Sequence, residues 1–217
     1  MVFENFNQQY PAILQRFQFG EELVGCHSTR KPHPTVSRMV ALASLQLEHL
    51  AASFLVDACH FFAIEPSWEW PNLTSLVLTT TVLRPGEYPA EIEALLQAAA
   101  AAAMRMPRLE TMEIWNGRKS LAAVFQYQTR TRSSRNVRQA TITWRATWEF
   151  TMEPSLIQAW EAVVHRYDDS WSLGVVQERL DIAAIKSHGD AIPCLMLSGQ
   201  DQCQGQCRHS GRVCRQG

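Results

Sequence analysis

The residues best suited to metal chemistry lie near the end of the sequence. Cys203, Cys207, His209 and Cys214 carry thiol and imidazole groups, which are the donors that tetrahedral zinc prefers. Their C-x3-C-x-H-x4-C spacing matches no common zinc finger, and the glutamine-rich segment around them offers almost no apolar side chain to pack around a metal. We therefore expect no metal and no cofactor, and we predict a disordered tail over residues 199–217. Metal analysis of the reduced protein decides whether the tail binds zinc.

Catalytic motifs are missing from the sequence. It contains no G-x-S-x-G, H-E-x-x-H, P-loop or G-x-G-x-x-G pattern, so no nucleophile, metal-bound water or phosphate cradle is indicated. His49, His60, His165 and His188 lie within or beside apolar segments, where a hydrogen-bonded structural histidine is commoner than a catalytic base. The sequence predicts a protein that is not an enzyme.

Four residues are better candidates for contacting a protein partner. Glu113, Trp115 and Asn116 lie where a predicted strand ends in a loop, and exposed loop rims commonly carry binding residues. Arg145 follows a polar linker rich in arginine, residues 130–138, and forms with it a local basic cluster suited to an acidic peptide. Each has a structural alternative, since Trp115 can cover the end of the sheet, Asn116 can belong to a turn, and a basic linker can be a solvated loop.

The charge balance limits the class of partner. Lys and Arg total 20 while Asp and Glu total 21, so the formal net charge of −1 gives no bulk attraction to nucleic acid or anionic lipid. The first residues lack the basic start and apolar run of a signal peptide, and no later apolar run is long enough to span a membrane. We expect an unidentified protein partner, no nucleic acid, no membrane, and an intracellular location that is cytoplasmic or nuclear. The oligomeric state is left open.

A repeated leucine spacing indicates the scaffold that positions these residues. The pattern L-x-x-L-x-L, or an apolar equivalent, begins at Leu42, Leu73, Leu109 and, more loosely, Ile192. In stacked repeats each such pattern forms a short strand of a parallel sheet and is followed by a helix or a helical turn. The second and third copies match at four positions with an offset of 36 residues (109 − 73), whereas the first copy lies 31 residues before the second (73 − 42). The period is therefore irregular.

The first copy has two interpretations. If residues 44–47 form a strand, the spacing of Phe54 to Phe62 predicts the returning helix. A single long helix from Val40 to Phe62 is the alternative, because alanine and leucine have weak β-propensity. Pro66 ends the segment in both cases.

The remaining elements follow from local patterns. Residues 73–79 alternate Leu, Val and Thr as a half-buried strand does, and residues 90–104 have the alanine-rich composition and acidic first turn of a helix. Further along, the sequence predicts a hairpin within residues 121–150, a helix over 154–167, a short strand or loop over 171–177, a helix over 178–189 and a fourth strand over 192–197.

These elements predict one α/β domain over residues 39–198. Its expected form is an irregular leucine-rich-repeat-like solenoid, with a curved and mostly parallel sheet backed by helices and an inserted β-hairpin. Residues 1–38 are predicted to be an irregular leading segment with a short helix over residues 12–19, because several prolines interrupt them.

Four segments carry a resemblance to a known family. At ASLQLEHLAASFLVDACHFF, WPNLTSLVLTT, MPRLETMEIWNG and ATITWRATW, the sequence resembles an uncharacterised fungal F-box-associated domain family with leucine-rich-repeat-like character. The resemblance covers roughly Phe3 to Leu197, and it implies recognition of a substrate or partner without catalytic residues. Longer members usually carry an F-box, which docks on a ubiquitin-ligase adaptor. No Leu-Pro opening of an F-box precedes Met39, so the sequence resembles the repeat-bearing half alone.

The expected function is a non-catalytic protein-interaction module, the substrate-recognition part of an F-box-like ubiquitin-ligase adaptor that lacks its F-box. Loops near residues 79–88 and 115–120 would add specificity to the rows of side chains that parallel strands present. One alternative is an enzyme with a cryptic pocket between the hairpin and the sheet. The other is a truncated gene product without an independent role.

Overall fold

In the part of the chain that the structure describes, seven strands form one sheet, and their order in the sheet follows their order in the chain. The structure is a computed structural model that describes residues 2–4, 32–63, 65, 67–86, 89–132, 137–166 and 171–197. The strands are β1 (Val2–Glu4), β2 (His49–Asp57), β3 (Ser75–Thr79), β4 (Thr111–Arg118), β5 (Leu121–Arg132), β6 (Val137–Ala146) and β7 (Ser172–Arg179).

The strand directions make this a mixed α/β fold with a mostly parallel sheet, as the sequence predicts. Strands β1 to β4 run parallel, β5 is antiparallel to β4, β6 is antiparallel to β5, and β7 is parallel to β6. The predicted hairpin therefore exists as β5 and β6, but it is part of the one sheet.

Five helices of the described residues connect or follow the strands. They are α1 (Pro34–Ala43), α2 (Ala58–Phe61), α3 (Pro89–Ala103), α4 (Pro154–His165) and α5 (His188–Leu195), and a 3-10 turn spans Ile182–Ala184. Proline is the first residue of α1, α3 and α4, a position where the missing N–H leaves no intrahelical hydrogen bond unmade. The side chain of Ser187 caps α5 by accepting a hydrogen bond from the backbone N–H of Asp190.

The main core lies on one face of the sheet, which we call the helix face. Alternate strand residues such as Leu76, Leu78 and Ile114 point to this face and pack against helices α1 to α4. The fully buried Trp70 donates a hydrogen bond from Nε1 to the hydroxyl of Ser44 at 2.8 Å, so its polar atom is satisfied inside this core.

A smaller apolar cluster lies on the opposite face, which we call the α5 face. Val77, Trp115 and Val124 point to it from three neighbouring strands, and they pack against Ala191 and Leu195 of α5. The sheet is thus covered on both faces in its centre, although the helices are divided unequally between the two faces.

Strand β7 is the last strand of the sheet, and its outward side chains are solvent-exposed. Val175 and Val176 are 42% and 37% exposed. The strand ends with Glu178 and Arg179, which both form ion pairs with residues of other segments.

The second and third leucine patterns behave as predicted. Leu76 pairs in register with Met112, and Leu78 pairs with Ile114, so the 36-residue offset (112 − 76 and 114 − 78) places equivalent residues side by side in β3 and β4. The predicted strand at 73–79 and the helix at 90–104 are confirmed as β3 and α3. The hairpin strands, the helix from residue 154 and the short strand at β7 are also confirmed.

Both interpretations of the first leucine pattern are wrong. Leu42 lies in helix α1 and is 54% exposed, the strand of this unit is His49–Asp57, and the following helix spans only Ala58–Phe61. The three-residue step L-x-x-L of this pattern also places two apolar side chains on the same surface of a helix, so the pattern alone does not distinguish a helix from a strand. High helix propensity of the segment VALA then favours the helix.

The fourth leucine pattern is also not a strand. Ile192 and Leu195 belong to helix α5 and lie against the α5 face of the sheet. The helix predicted over 178–189 is wrong as well, because β7 continues to Arg179 and the chain then makes a 3-10 turn. Gly189 lies near the start of α5 and does not end a helix.

Two further sequence predictions concern the ends of the chain. Within the leading segment, Val2–Glu4 form a strand and α1 begins at Pro34, so part of residues 1–38 is regular. The helix predicted over 12–19 and the tail from residue 199 lie outside the described residues. Among the residues that are described, no helix combines the length and the apolar character needed to cross a bilayer.

We expect the mutation Leu78→Ala to lower the free energy of unfolding by about 2–5 kcal/mol, because it leaves a cavity in the helix face. The matched change Leu42→Ala should alter stability by less than about 0.5 kcal/mol, because this leucine is exposed. Urea unfolding followed by tryptophan fluorescence measures both values. Equal losses for the two variants would contradict the assignment of Leu42 to an exposed helix surface.

Candidate functional site

Asp57 is a buried polar residue at the carboxyl edge of the sheet, the edge where β2, β3 and β4 end. Its buried carboxylate accepts hydrogen bonds from the hydroxyl groups of Thr80 at 2.9 Å and Thr81 at 3.2 Å, and from the backbone N–H of Thr81 at 3.2 Å. The N–H of Cys59 donates a further hydrogen bond at 3.0 Å, which caps helix α2. All four hydrogen bonds come from the protein itself, so this carboxylate holds the ends of β2 and β3 together.

Cys59 lies beside this carboxylate with its Sγ 3.7 Å from the Thr80 hydroxyl oxygen. Burial, followed by the negative charge of Asp57, raises the pKa of the thiol from 9.0 to about 12. A thiol with such a pKa is a poor nucleophile at neutral pH. The thiol is free, as is that of Cys194.

Strand β2 is irregular near this edge. Phe54 has a positive φ of 61°, a conformation that costs a residue with a Cβ about 1–2 kcal/mol. Its backbone N–H donates a hydrogen bond to the hydroxyl of Thr79 at 2.7 Å, which stabilises the irregular backbone. Its ring contacts Trp115 and His188 edge-on, with ring centroids 5.3 Å and 4.8 Å away.

Asn116 fixes the loop that follows β3. Its side-chain Nδ2 donates a hydrogen bond to the carbonyl oxygen of Leu83 at 3.0 Å. The backbone N–H of Thr80 donates to the carbonyl oxygen of Trp115 at 3.1 Å. The loop after β3 is therefore attached to the end of β4 at two points.

The end of β4 is attached to helix α5 in the same way. The imidazole Nδ1 of His188 lies 2.7 Å from the carbonyl oxygen of Gly117 and donates to it, since a carbonyl oxygen can only accept. A Cβ at Gly117 would lie 2.7 Å from the Cβ of Ala191, so only glycine allows α5 to approach this closely. In addition, the N–H of Ser120 donates to the carbonyl oxygen of Ile185 at 2.8 Å.

Three loops consequently meet at the carboxyl edge of the sheet. We call residues 81–86, 118–120 and 185–187 the loop edge. Most of its side chains are exposed, whereas the backbone contacts beneath it are fixed by hydrogen bonds. Ligands of open α/β sheets commonly bind at the carboxyl ends of parallel strands, because loops from several strands converge there.

The sequence-predicted interaction residues lie beneath this surface. Glu113, Trp115 and Arg145 are only 0%, 3% and 7% exposed, so they are not on an exposed rim. Asn116 is half-buried and holds the loop after β3. The structure brings Trp115 and Asn116 to the loop edge as supports, and the predicted interaction role of the four residues stays a prediction.

Glu113 and Arg145 each have a structural partner on the α5 face. The side-chain amide of Gln126, directly opposite on β5, donates to Glu113 Oε1 at 2.7 Å. Arg145 pairs with Glu178 of β7 and donates from Nη1 to the carbonyl oxygen of Leu195 at 2.7 Å. A guanidinium at this place stabilises the carboxyl end of α5. The side chains of residues 130–138, the predicted basic linker, lie outside the described part of the structure.

A metal centre has no support within the described ranges. No group of three or more histidine, cysteine, aspartate or glutamate side chains there is arranged to hold a metal ion. The candidate zinc ligands Cys203, Cys207, His209 and Cys214, for which the sequence predicts no bound metal, lie outside the described residues.

The comparison with protein families identifies the chain. Residues 1–200 match the model of DUF6546, a family of unknown function. The chain belongs to this family. No curated protein and no solved structure matches it. An uncharacterised family is what the resemblance in the sequence indicates, and the DUF6546 match extends across all seven strands and all five helices described here.

Sequence reasoning missed Asp57, Phe54 and the cations of the loop edge. Asp57 could have been found, since an aspartate before an Ala-Cys-His-Phe helical turn is a typical helix cap. The positive φ of Phe54 has no sequence signal, because phenylalanine rarely adopts it.

We expect Cys59 to resist alkylation by iodoacetamide at about pH 8 in the folded protein. Raising the pKa to about 12 lowers the thiolate fraction roughly a thousandfold relative to a thiol of pKa 9.0. Peptide mapping by mass spectrometry after a short reaction measures modification at this position, with urea-unfolded protein as the control. Rapid modification of native Cys59 would contradict the placement of its thiol.

We expect Arg145→Met to destabilise the fold by about 1–3 kcal/mol, since it removes the contacts with Glu178 and with the end of α5. Hydrogen exchange should accelerate most in residues 188–195. Arg179→Met is the matched control, because its partner Glu149 is 91% exposed and such a pair contributes little. Unchanged exchange in α5 after Arg145→Met would show that the guanidinium does not hold the helix.

Proposed function

We propose that this DUF6546 chain is a non-catalytic, intracellular protein-interaction module whose recognition surface is the loop edge. One observation carries the proposal: three loops converge there on exposed side chains, while hydrogen bonds from Asn116 and Ser120 fix the backbone underneath. A surface that is already ordered loses little conformational entropy on binding, which favours recognition.

The roles of the buried polar groups support a binding function over a catalytic one. Asp57 caps a helix and binds two threonines, Arg145 holds α5, and the Cys59 thiol has a pKa of about 12. These groups stabilise the fold, and the raised pKa leaves the Cys59 thiol a poor nucleophile at neutral pH.

We further propose that the module is the recognition part of an F-box-like adaptor with leucine-rich-repeat-like character. What supports the repeat character is the strand order, which follows the chain, and the in-register pairing of the leucine patterns in β3 and β4. Neighbouring strands in chain order are the arrangement expected of stacked repeats. The sequence contains no Leu-Pro opening of an F-box, so we expect no direct binding to a purified ubiquitin-ligase adaptor in a pull-down. Robust binding would contradict this part of the proposal.

The recognition surface can be tested by blocking it without changing its charge. A Gly-Ser-Gly insertion between Lys119 and Ser120 extends the turn at the loop edge, and loop insertions are usually tolerated. The same insertion between Pro107 and Arg108, in the exposed turn before β4 at the opposite edge of the sheet, is the matched control. Proteins captured by the unmodified chain from a cell extract, and quantified by mass spectrometry, should be lost with the first insertion and retained with the second.

Thermal unfolding of both insertion variants establishes that they fold. If the folded variants capture the same proteins as the unmodified chain, the loop edge is not the recognition surface. If the control insertion alone removes the captured proteins, the surface lies at the opposite edge.

A further inference from the structure

Four cationic residues lie in the three segments of the loop edge. Arg84 lies in the loop after β3, Arg118 and Lys119 lie where β4 turns into β5, and Lys186 lies in the segment before α5. All four are exposed. The hydrogen bonds from Asn116 to the carbonyl of residue 83 and from the N–H of residue 120 to the carbonyl of residue 185 hold their three segments at one edge.

These cations have no acidic partner within the described part of the chain. The ion pairs formed there engage Arg38, Arg145 and Arg179. Arg84, Arg118, Lys119 and Lys186 belong to none of them, so their charges are directed at solvent.

Within the described residues, most acidic side chains near the same edge are bound to other groups. Asp57 is buried beneath two threonine hydroxyls, Asp181 accepts from the N–H of Ala183 at 2.9 Å, and Asp190 accepts from the hydroxyl of Ser187 at 2.9 Å. Glu149 pairs with Arg179 at 3.1 Å. Glu91 is exposed, but it lies in the first turn of α3, where the positive end of the helix dipole offsets its charge.

We propose that the loop edge binds an acidic segment of a protein partner through these four cations. The inference rests on the proposed function and names the chemistry of its partner. Electrostatic complementarity of this kind mainly sets the association rate and the choice of partner. Arginine additionally offers two parallel hydrogen bonds to a carboxylate, which lysine does not.

A short protein segment fits this surface better than a nucleic acid or a lipid surface does. The whole chain carries a formal charge of −1, so a long polyanion gains no bulk electrostatic attraction to it. Carboxylates on a short flexible segment can instead approach individual cations. The sequence predicts an acidic-peptide site at Arg145, but this residue is buried and paired with Glu178. The proposed site is therefore the exposed loop edge.

Fluorescence anisotropy with a short labelled glutamate-rich peptide tests the inference. The same peptide with glutamine in place of glutamate is the neutral control probe. We expect binding only to the glutamate-rich peptide and weakening by added salt over the range where the Debye length falls to about 8 Å. Each single change among Arg84→Glu, Arg118→Glu, Lys119→Glu and Lys186→Glu should weaken binding roughly two- to fivefold, and the combined variant should abolish it.

Arg108→Glu is the matched control. Arg108 is exposed in the turn before β4, at the opposite edge of the sheet, and its substitution changes the net charge by the same amount. It should leave the affinity for the peptide within about twofold. Arg118→Gln and Lys119→Gln supply milder variants, and thermal unfolding verifies that every variant is folded. Equal weakening by Arg108→Glu, or equal binding of the glutamine peptide, would overturn the inference.

Two other probes separate this inference from its rivals and from the proposed function. Tighter binding of single-stranded RNA, or of vesicles containing phosphatidylserine, would show that the loop edge takes a different polyanion and would overturn the inference. If the Gly-Ser-Gly insertion at Lys119 removes captured proteins while the acidic peptide does not bind, the interaction function stands and its acidic partner is refuted. If the acidic peptide binds and the insertion removes none of the captured proteins, the proposal that the loop edge is the recognition surface for those proteins is refuted instead.

Discussion

The buried carboxylate of Asp57 sets the geometry on which the carboxyl edge of the sheet depends. It closes the end of β2 by capping α2, and it fixes the start of the loop after β3 through two threonines and a backbone N–H. A buried charge is tolerated only when hydrogen bonds replace its hydration, and here each oxygen accepts two. The loop after β3 is therefore ordered by its neighbour in the sheet, and this order continues through Asn116 to β4 and α5.

The sequence predicts secondary structure correctly in the segments whose residue pattern fits only one type of element. Leu76 and Leu78 alternate with residues suited to the opposite face of the sheet, which predicts the strand β3. The alanine-rich segment 90–103 strongly favours the helical conformation, which predicts α3. Leu42 and Ile192 could not be placed correctly, because a three-residue apolar spacing fits a helix as well as a strand. Near Leu42 local helix propensity favours the helix, and near Ile192 the helix packs against the α5 face of the sheet.

The candidate site was only partly predictable for a related reason. Placing Trp115 and Arg145 requires knowing that α5 covers the second face of the sheet, and the helical nature of α5 was hidden by Gly189 and Pro193 within it. Because α5 packs on this face, Trp115 and Arg145 are buried and stabilise the fold. The exposed residues are instead Arg118 and Lys119, where β4 turns into β5. The alternation along a strand predicts that successive side chains lie on opposite faces of the sheet, but it does not show which of the two faces is exposed to solvent.

The exposed edge of β7 has a consequence for how copies of the chain behave when concentrated. Its backbone is the last of the sheet, and Val175 and Val176 give it an apolar, β-branched surface, which is the composition at which strands of separate molecules associate. Glu178 and Arg179 follow after Gln177, and charged side chains at a strand end act as gatekeepers against such stacking. These two charged residues therefore oppose edge-to-edge association of separate copies of the chain.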